Sequence, residues 1–134
     1  MGQIDDACRE VTSNVDGALA CGVVDLDTGM LLGVHHASHG TALDEAIAAA
    51  TMDLFRGEGV GRIEQMVRSQ RGLPENGEHH FQELHITSQH NYHFAKTIKG
   101  GKAVMMLVTK KTTNIGMGWA QVKSAIPSIE PHVP

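Results

Sequence analysis

The strongest constraint on this chain lies between Phe81 and Ile126, where strand-like segments meet across Lys99-Gly100-Gly101-Lys102 and then feed a helix. Gly-Gly between two β-rich runs marks a two-residue hairpin, because both central residues need φ > 0 and glycine adopts it without strain. Before the turn, Tyr92, Phe94, Lys96 and Ile98 alternate with His93, Ala95 and Thr97, the period of a strand. After it, Ala103-Val104-Met105-Met106-Leu107-Val108 is apolar on both faces. Such a strand needs cover on both sides, so it belongs inside the sheet with helices above and below. Thr109 to Asn114 then end the strand and supply caps for the helix that follows.

Three segments share one apolar spacing. Ile4, Cys8, Val11 and Val15 recur at i, i+4, i+7 and i+11, as do Leu43, Ile47, Ala50 and Leu54, and Ile115, Trp119, Val122 and Ile126. Each predicts a helix with a single stripe facing a sheet. Asp5 and Asp6 favour the N-terminus of the first, Thr41 with Asp44 caps the second, and Pro127 is expected to stop the third. Between the first two helices, residues 18–24 predict a second interior strand. Asp25-Leu26-Asp27-Thr28-Gly29 turns it, and Met30 to Val34 return as its partner. Residues 57–80 fit less well: Gly57-Glu58-Gly59-Val60-Gly61 breaks the helical pattern, Val60, Ile63 and Val67 restart a short helix, and residues 72–77 form a loop. The glycines follow a helix and carry no Lys-Ser/Thr, so they are not a phosphate loop.

Helix, two strands, helix, three strands, helix gives an α/β (α+β) fold. Its simplest form is one five-stranded antiparallel sheet, with the middle helix on one face and both terminal helices on the other. All 134 residues are expected to make a single domain, with a helical insertion at about 57–80. Eleven basic against fifteen acidic residues, with no basic tract, argue against nucleic acid. No apolar run approaches a membrane span and no signal peptide is visible, so a cytoplasmic protein is expected. Cys8 and Cys21 fall on apolar faces and read as buried, reduced thiols.

Candidate chemistry is thin. His35, His36, His39, His79 and His80 invite a metal, yet no Cys-x-x-Cys or His-Glu-x-x-His spacing supports one, and neither metal nor cofactor is expected. Ser38 among histidines is the one nucleophile candidate and lacks an elbow context, so an enzyme, metal-assisted or otherwise, is not expected. Lys110, Lys111, Thr112, Thr113 and Asn114 precede a helix N-terminus and are a candidate contact for an anion or an acidic partner, or a plain solvated cap.

The 23–29 hairpin, the Gly100-Gly101 turn and the terminal helix with Gly116 and Gly118 resemble the Roadblock / dynein light chain family over about 4–54 and 81–126. The resemblance implies a profilin-like sandwich and no enzymatic site. It also implies a homodimer, or a heterodimer with a related chain, in which the middle helices pack together and the third strands pair. The implied role is a scaffold, adaptor or regulator of a small Ras-like GTPase. The 57–80 region is longer than the family's link. The residues support a dimer separately. On a helical wheel Ala48, Met52 and Phe55 form a second apolar stripe, expected at an interface unless helix 60–68 folds over it. The 81–87 segment is expected at the sheet edge, pairing with its copy through Phe81, Glu83, Leu84, His85, Ile86 and Thr87. The alternative is a profilin-like sensory domain holding a small ligand between sheet and insertion helix, which a deep, closed apolar pocket would favour.

Overall fold

The two runs that are apolar on both faces lie side by side within the sheet. A computed structural model describes residues 2–36, 41–74 and 79–134, with the backbone alone at 41–45. The elements are α1 (Gln3–Asn14), β1 (Ala18–Asp25), β2 (Leu31–His36), α2 (Thr41–Arg56), α3 (Glu58–Arg71), β3 (Glu83–Thr87), β4 (Asn91–Ile98), β5 (Ala103–Lys110) and α4 (Ile115–Ile129). The sheet has five strands in the order β2-β1-β5-β4-β3, and every neighbouring pair is antiparallel. β1 lies along β5 from Ala18 opposite Thr109 to Asp25 opposite Ala103, which joins the two halves of the chain.

Alternation along the strands makes two cores. Met105 and Leu107 of β5, with Val23 and Phe94, face Cys8 and Val11 of α1 and Val122 and Ile129 of α4. Val104, with Val24 and Ala95, faces Ala48 and Phe55 of α2. Helices therefore cover both faces, as the doubly apolar strands require. Cys8 and Cys21 are free and buried between α1 and β1, and a hydrogen bond with Cys8, reinforced by burial, pushes the Cys21 thiol well above its usual pKa.

Two sequence expectations change in detail. The β4–β5 register sets Ile98 opposite Ala103, so the turn has four residues rather than two. Lys99 joins Gly100 and Gly101 at positive φ, and its N–H is fixed by a 2.6 Å bond to Glu130 Oε2. Nor does Pro127 stop α4. The helix continues to Ile129, because a proline so near the C-terminal end removes one N–H, while burial of Ile129 and Val133 holds the chain against the core.

The larger correction concerns α2. Ala48 and Phe55, expected at an interface, are internal, and Phe55 is 0% exposed. Met52 packs against the same cluster, whereas Leu54, expected on the sheet, is 39% exposed. The helix is rotated from the wheel assignment because Thr51 can be buried: its hydroxyl donates to Ile47 O at 2.7 Å and so carries no unmet polar group inward. With Thr51 inside, Phe55 buries more area than Leu54 can. Leu43 and the Thr41 cap lie outside the described side chains.

Candidate functional site

The two sheet edges differ. At β2, the Val34 N–H donates to Asp5 Oδ1 at 2.8 Å, so α1 caps that edge. At β3, no strand lies beyond it among the described residues. The ladder with β4 is bracketed by Thr97 N–H to Gln82 O at 2.8 Å and Ser88 N–H to Asn91 O at 2.9 Å. Antiparallel pairing alternates inward and outward groups with period two. Leu84 and Ile86 therefore spend their backbone groups on β4, and Glu83, His85 and Thr87 turn theirs outward.

Their side chains divide the same way. Leu84 packs on the α2-side core, with Ile86 further along and 39% exposed. On the opposite face Glu83 meets Lys96 Nζ at 3.4 Å, and His85 stands edge-on to Phe94 with ring centroids 5.3 Å apart. The neighbouring His93 is held below its usual pKa by burial and by the charge of His85.

The run into β3 is anchored from the insertion, which sequence reasoning missed. Glu64 of α3 is 1% exposed and accepts the backbone N–H groups of His80 and Phe81, with His79 Nδ1 at 3.0 Å. Burial pushes its pKa up, but these donors outweigh it, and the net shift is downward. A Glu inside an otherwise polar helix gives no sequence signal of this kind. α2 presents Ala46, Ala49, Ala50 and Leu54 outward, with Asp53 among them.

Other candidates do not converge. Asn114 caps α4 by accepting the Met117 N–H at 3.0 Å, and Thr113 is buried, donating to Asp16 O at 2.7 Å. Lys110, Lys111 and Thr112 are exposed beside them. Ser38, His39 and residues 75–77 lie outside the described residues. Among the described residues no group of three or more His, Cys, Asp or Glu is placed to hold a metal, and no helix is long and apolar enough to cross a membrane. An apolar hollow of about 30 Å³ between α2 and the sheet has room for one water, not a metabolite. A polar cleft of about 740 Å³ opens at the β4–β5 turn, lined by Arg56, Lys96, Lys99 and Lys102. The Lys-Gly-Gly-Lys run was its only trace in the sequence.

No family model and no curated protein matches the chain in sequence. Among solved structures it is similar to the Roadblock/LC7 domain from Streptomyces avermitilis, at TM-score 0.74 and 13% identity over 98% of each chain. It is similar also to MglB of Myxococcus xanthus, at TM-score 0.71 and 15% identity over 98% of this chain and 94% of that one. Profilin II of Acanthamoeba castellanii follows at TM-score 0.55 and 12% identity over 96% and 94%. At these identities the likeness is one of fold. The fold read from the sequence, a Roadblock-like and profilin-like sandwich, is the one found.

Proposed function

We propose that this chain is a non-enzymatic, cytoplasmic, single-domain scaffold or regulator of a small Ras-like GTPase, and that it works as a homodimer. The observation that carries the reading is the asymmetry of the edges: α1 meets the outward N–H of Val34 in β2, while among the described residues no strand pairs with the outward backbone of Glu83, His85 and Thr87 in β3. An orderly open edge is used or protected in soluble proteins. Pairing of β3 with its copy, antiparallel across a two-fold axis, uses it and extends the sheet through both subunits. The outward arc of α2, with Ala50 and Leu54, lies on the face that the Roadblock resemblance assigns to helix–helix contact. Lys110 and Lys111 are the cations proposed to meet the partner. The GTPase link rests on that resemblance and on fold likeness to MglB and the Roadblock/LC7 domain.

Sedimentation at tens of micromolar tests the dimer, and a monomer there overturns it. GTPases captured from source lysate are then assayed for GTP turnover with and without the purified chain. A Ras-like GTPase that binds directly, whether its turnover changes or it is merely tethered, supports the reading. Failure of every captured GTPase to bind the purified chain removes the GTPase half of the proposal and leaves the dimer standing.

A further inference from the structure

Charge is distributed unevenly over this molecule. The cleft of about 740 Å³ lies between the β4–β5 turn, the C-terminal end of α2 and the run into β3, with Asp27 of the β1–β2 turn and Glu130 after α4 at its margin. Four of the chain's eleven Lys and Arg line it (Arg56, Lys96, Lys99 and Lys102), against two of its fifteen carboxylates, Asp27 and Glu130. On a chain of net charge −4 this is a local reversal of sign, which concentrates anions.

Two of these cations are held in place by neutral acceptors. Arg56 donates through Nη1 to Phe55 O at 3.0 Å and through Nη2 to Gly101 O at 2.6 Å, tying the helix end to the turn. Lys99 Nζ donates to Glu130 O at 3.1 Å. Carbonyls orient a cation without cancelling its charge. Among the described residues no carboxylate lies within ion-pair distance of Arg56, Lys99 or Lys102, and only Lys96 is so paired, with Glu83. Partial burial lowers the Arg56 pKa, with the charges of Glu64 and Asp27 opposing it, so an added anion there stabilises a desolvated cation. The wall at Gly100 is bare: a Cβ there would meet nothing within 4 Å.

We propose that this cleft binds a small oligoanion with adjacent phosphate groups, from pyrophosphate up to a nucleoside diphosphate in size. The volume suits such a ligand. Arg56 keeps guanidinium donors beyond the two it has spent, in the planar fork that matches phosphate oxygens. Phe81 and Ile98 are the large apolar side chains of the lining, too few to anchor the side chains of an acidic peptide. The site touches the start of β3 through Gln82 and through Lys96, which pairs with Glu83, but Arg56, Lys99 and Lys102 belong to other elements.

The test is a titration of inorganic pyrophosphate into the full chain at low salt, read by calorimetry and backbone amide shifts. Saturable binding of one anion per chain is expected, with shifts centred on residues 99–102 and Arg56 and an affinity that falls as salt rises. Lys102→Glu, at an exposed position, weakens binding by about tenfold, whereas Lys123→Glu, exposed on α4 and outside the lining, changes it by less than about twofold. If Lys102→Glu does not fold, Lys102→Gln takes its place, with a loss of about threefold. An absence of saturation, equal losses in the Lys102 and Lys123 variants, or capture of a Glu-rich peptide but not pyrophosphate overturns the proposal.

Discussion

Asp5 Oδ1 accepts the N–H of Val34 at 2.8 Å, and its Oδ2 accepts the N–H of Gly2 at 3.2 Å. One carboxylate thus closes the N-terminal turn of α1 and covers the β2 edge of the sheet. Asp5→Ala leaves both donors without their partner and removes a favourable charge from the helix N-terminus. A loss of about 1–2 kcal/mol is expected. Asp5→Asn keeps an acceptor for Val34 and recovers roughly half of that loss. Urea unfolding of the three proteins measures the series, and equal stability of wild type and Asp5→Ala would show that water serves Val34 as well.

The β3 edge gives a sharper contrast. His85→Pro deletes an outward N–H and no bond to β4, whereas Leu84→Pro deletes an inward one. The first is expected to stay folded and sediment as a monomer. The second loses stability in the subunit itself, by roughly 1–3 kcal/mol for the β4 acceptor left unmet. Circular dichroism separates the two from a general unfolding. A His85→Pro protein that remains dimeric would show that β3 does not pair with its copy.

Much of this architecture is legible because apolar pattern and turn chemistry agree. The runs at 18–24 and 103–108 demand cover on both faces, and they become the neighbours β1 and β5. The Thr109–Asn114 segment supplies Asn114, the cap from which α4 starts. What the pattern cannot express is a polar residue satisfied inside its own helix. Thr51 bonds Ile47 O, so a position that reads as a flank becomes core, and the wheel of α2 turns with it. Glu64 is hidden for a related reason: its partners are backbone N–H groups of residues 80 and 81, and those have no letter in a sequence. The cationic cleft needs five separate segments to meet, around Asp27, Arg56, residues 79–82, residues 96–102 and Glu130, which no local window contains.

The rotation of α2 separates two adjacent residues. Phe55 is buried against Val24, Ala95 and Val104, so Phe55→Ala is expected to destabilise the subunit by about 3–5 kcal/mol. Leu54 lies on the outward arc. Leu54→Asp is expected to shift subunit stability by no more than about 0.5 kcal/mol. Its effect falls on the dimer, where a charge buried without a partner weakens association. Thermal unfolding gives the first comparison and sedimentation equilibrium the second. Should Leu54→Asp unfold the protein while Phe55→Ala leaves it intact, α2 faces the other way.

Glu64 couples the insertion to acid. Its carboxylate accepts from His80 and Phe81 and meets His79, and these contacts hold its folded pKa below the ordinary value of about 4.3. A carboxylate depressed in the folded state binds its proton more readily when unfolded. Its stabilising contribution is therefore complete above the unfolded value and declines as pH falls through the folded one. Glu64→Gln cannot ionise, and its amide turns an NH₂ towards donors that need an acceptor. At pH 7 it is expected to cost about 1–3 kcal/mol. The gap between wild type and Glu64→Gln should close progressively below about pH 4, as the wild-type carboxyl also becomes neutral. Protection of the His80 and Phe81 amides from hydrogen exchange, taken relative to the intrinsic rate at each pH, should fall in the variant at neutral pH and in the wild type only in acid. A gap independent of pH from 3 to 7 would mean that Glu64 acts through packing and not through its charge.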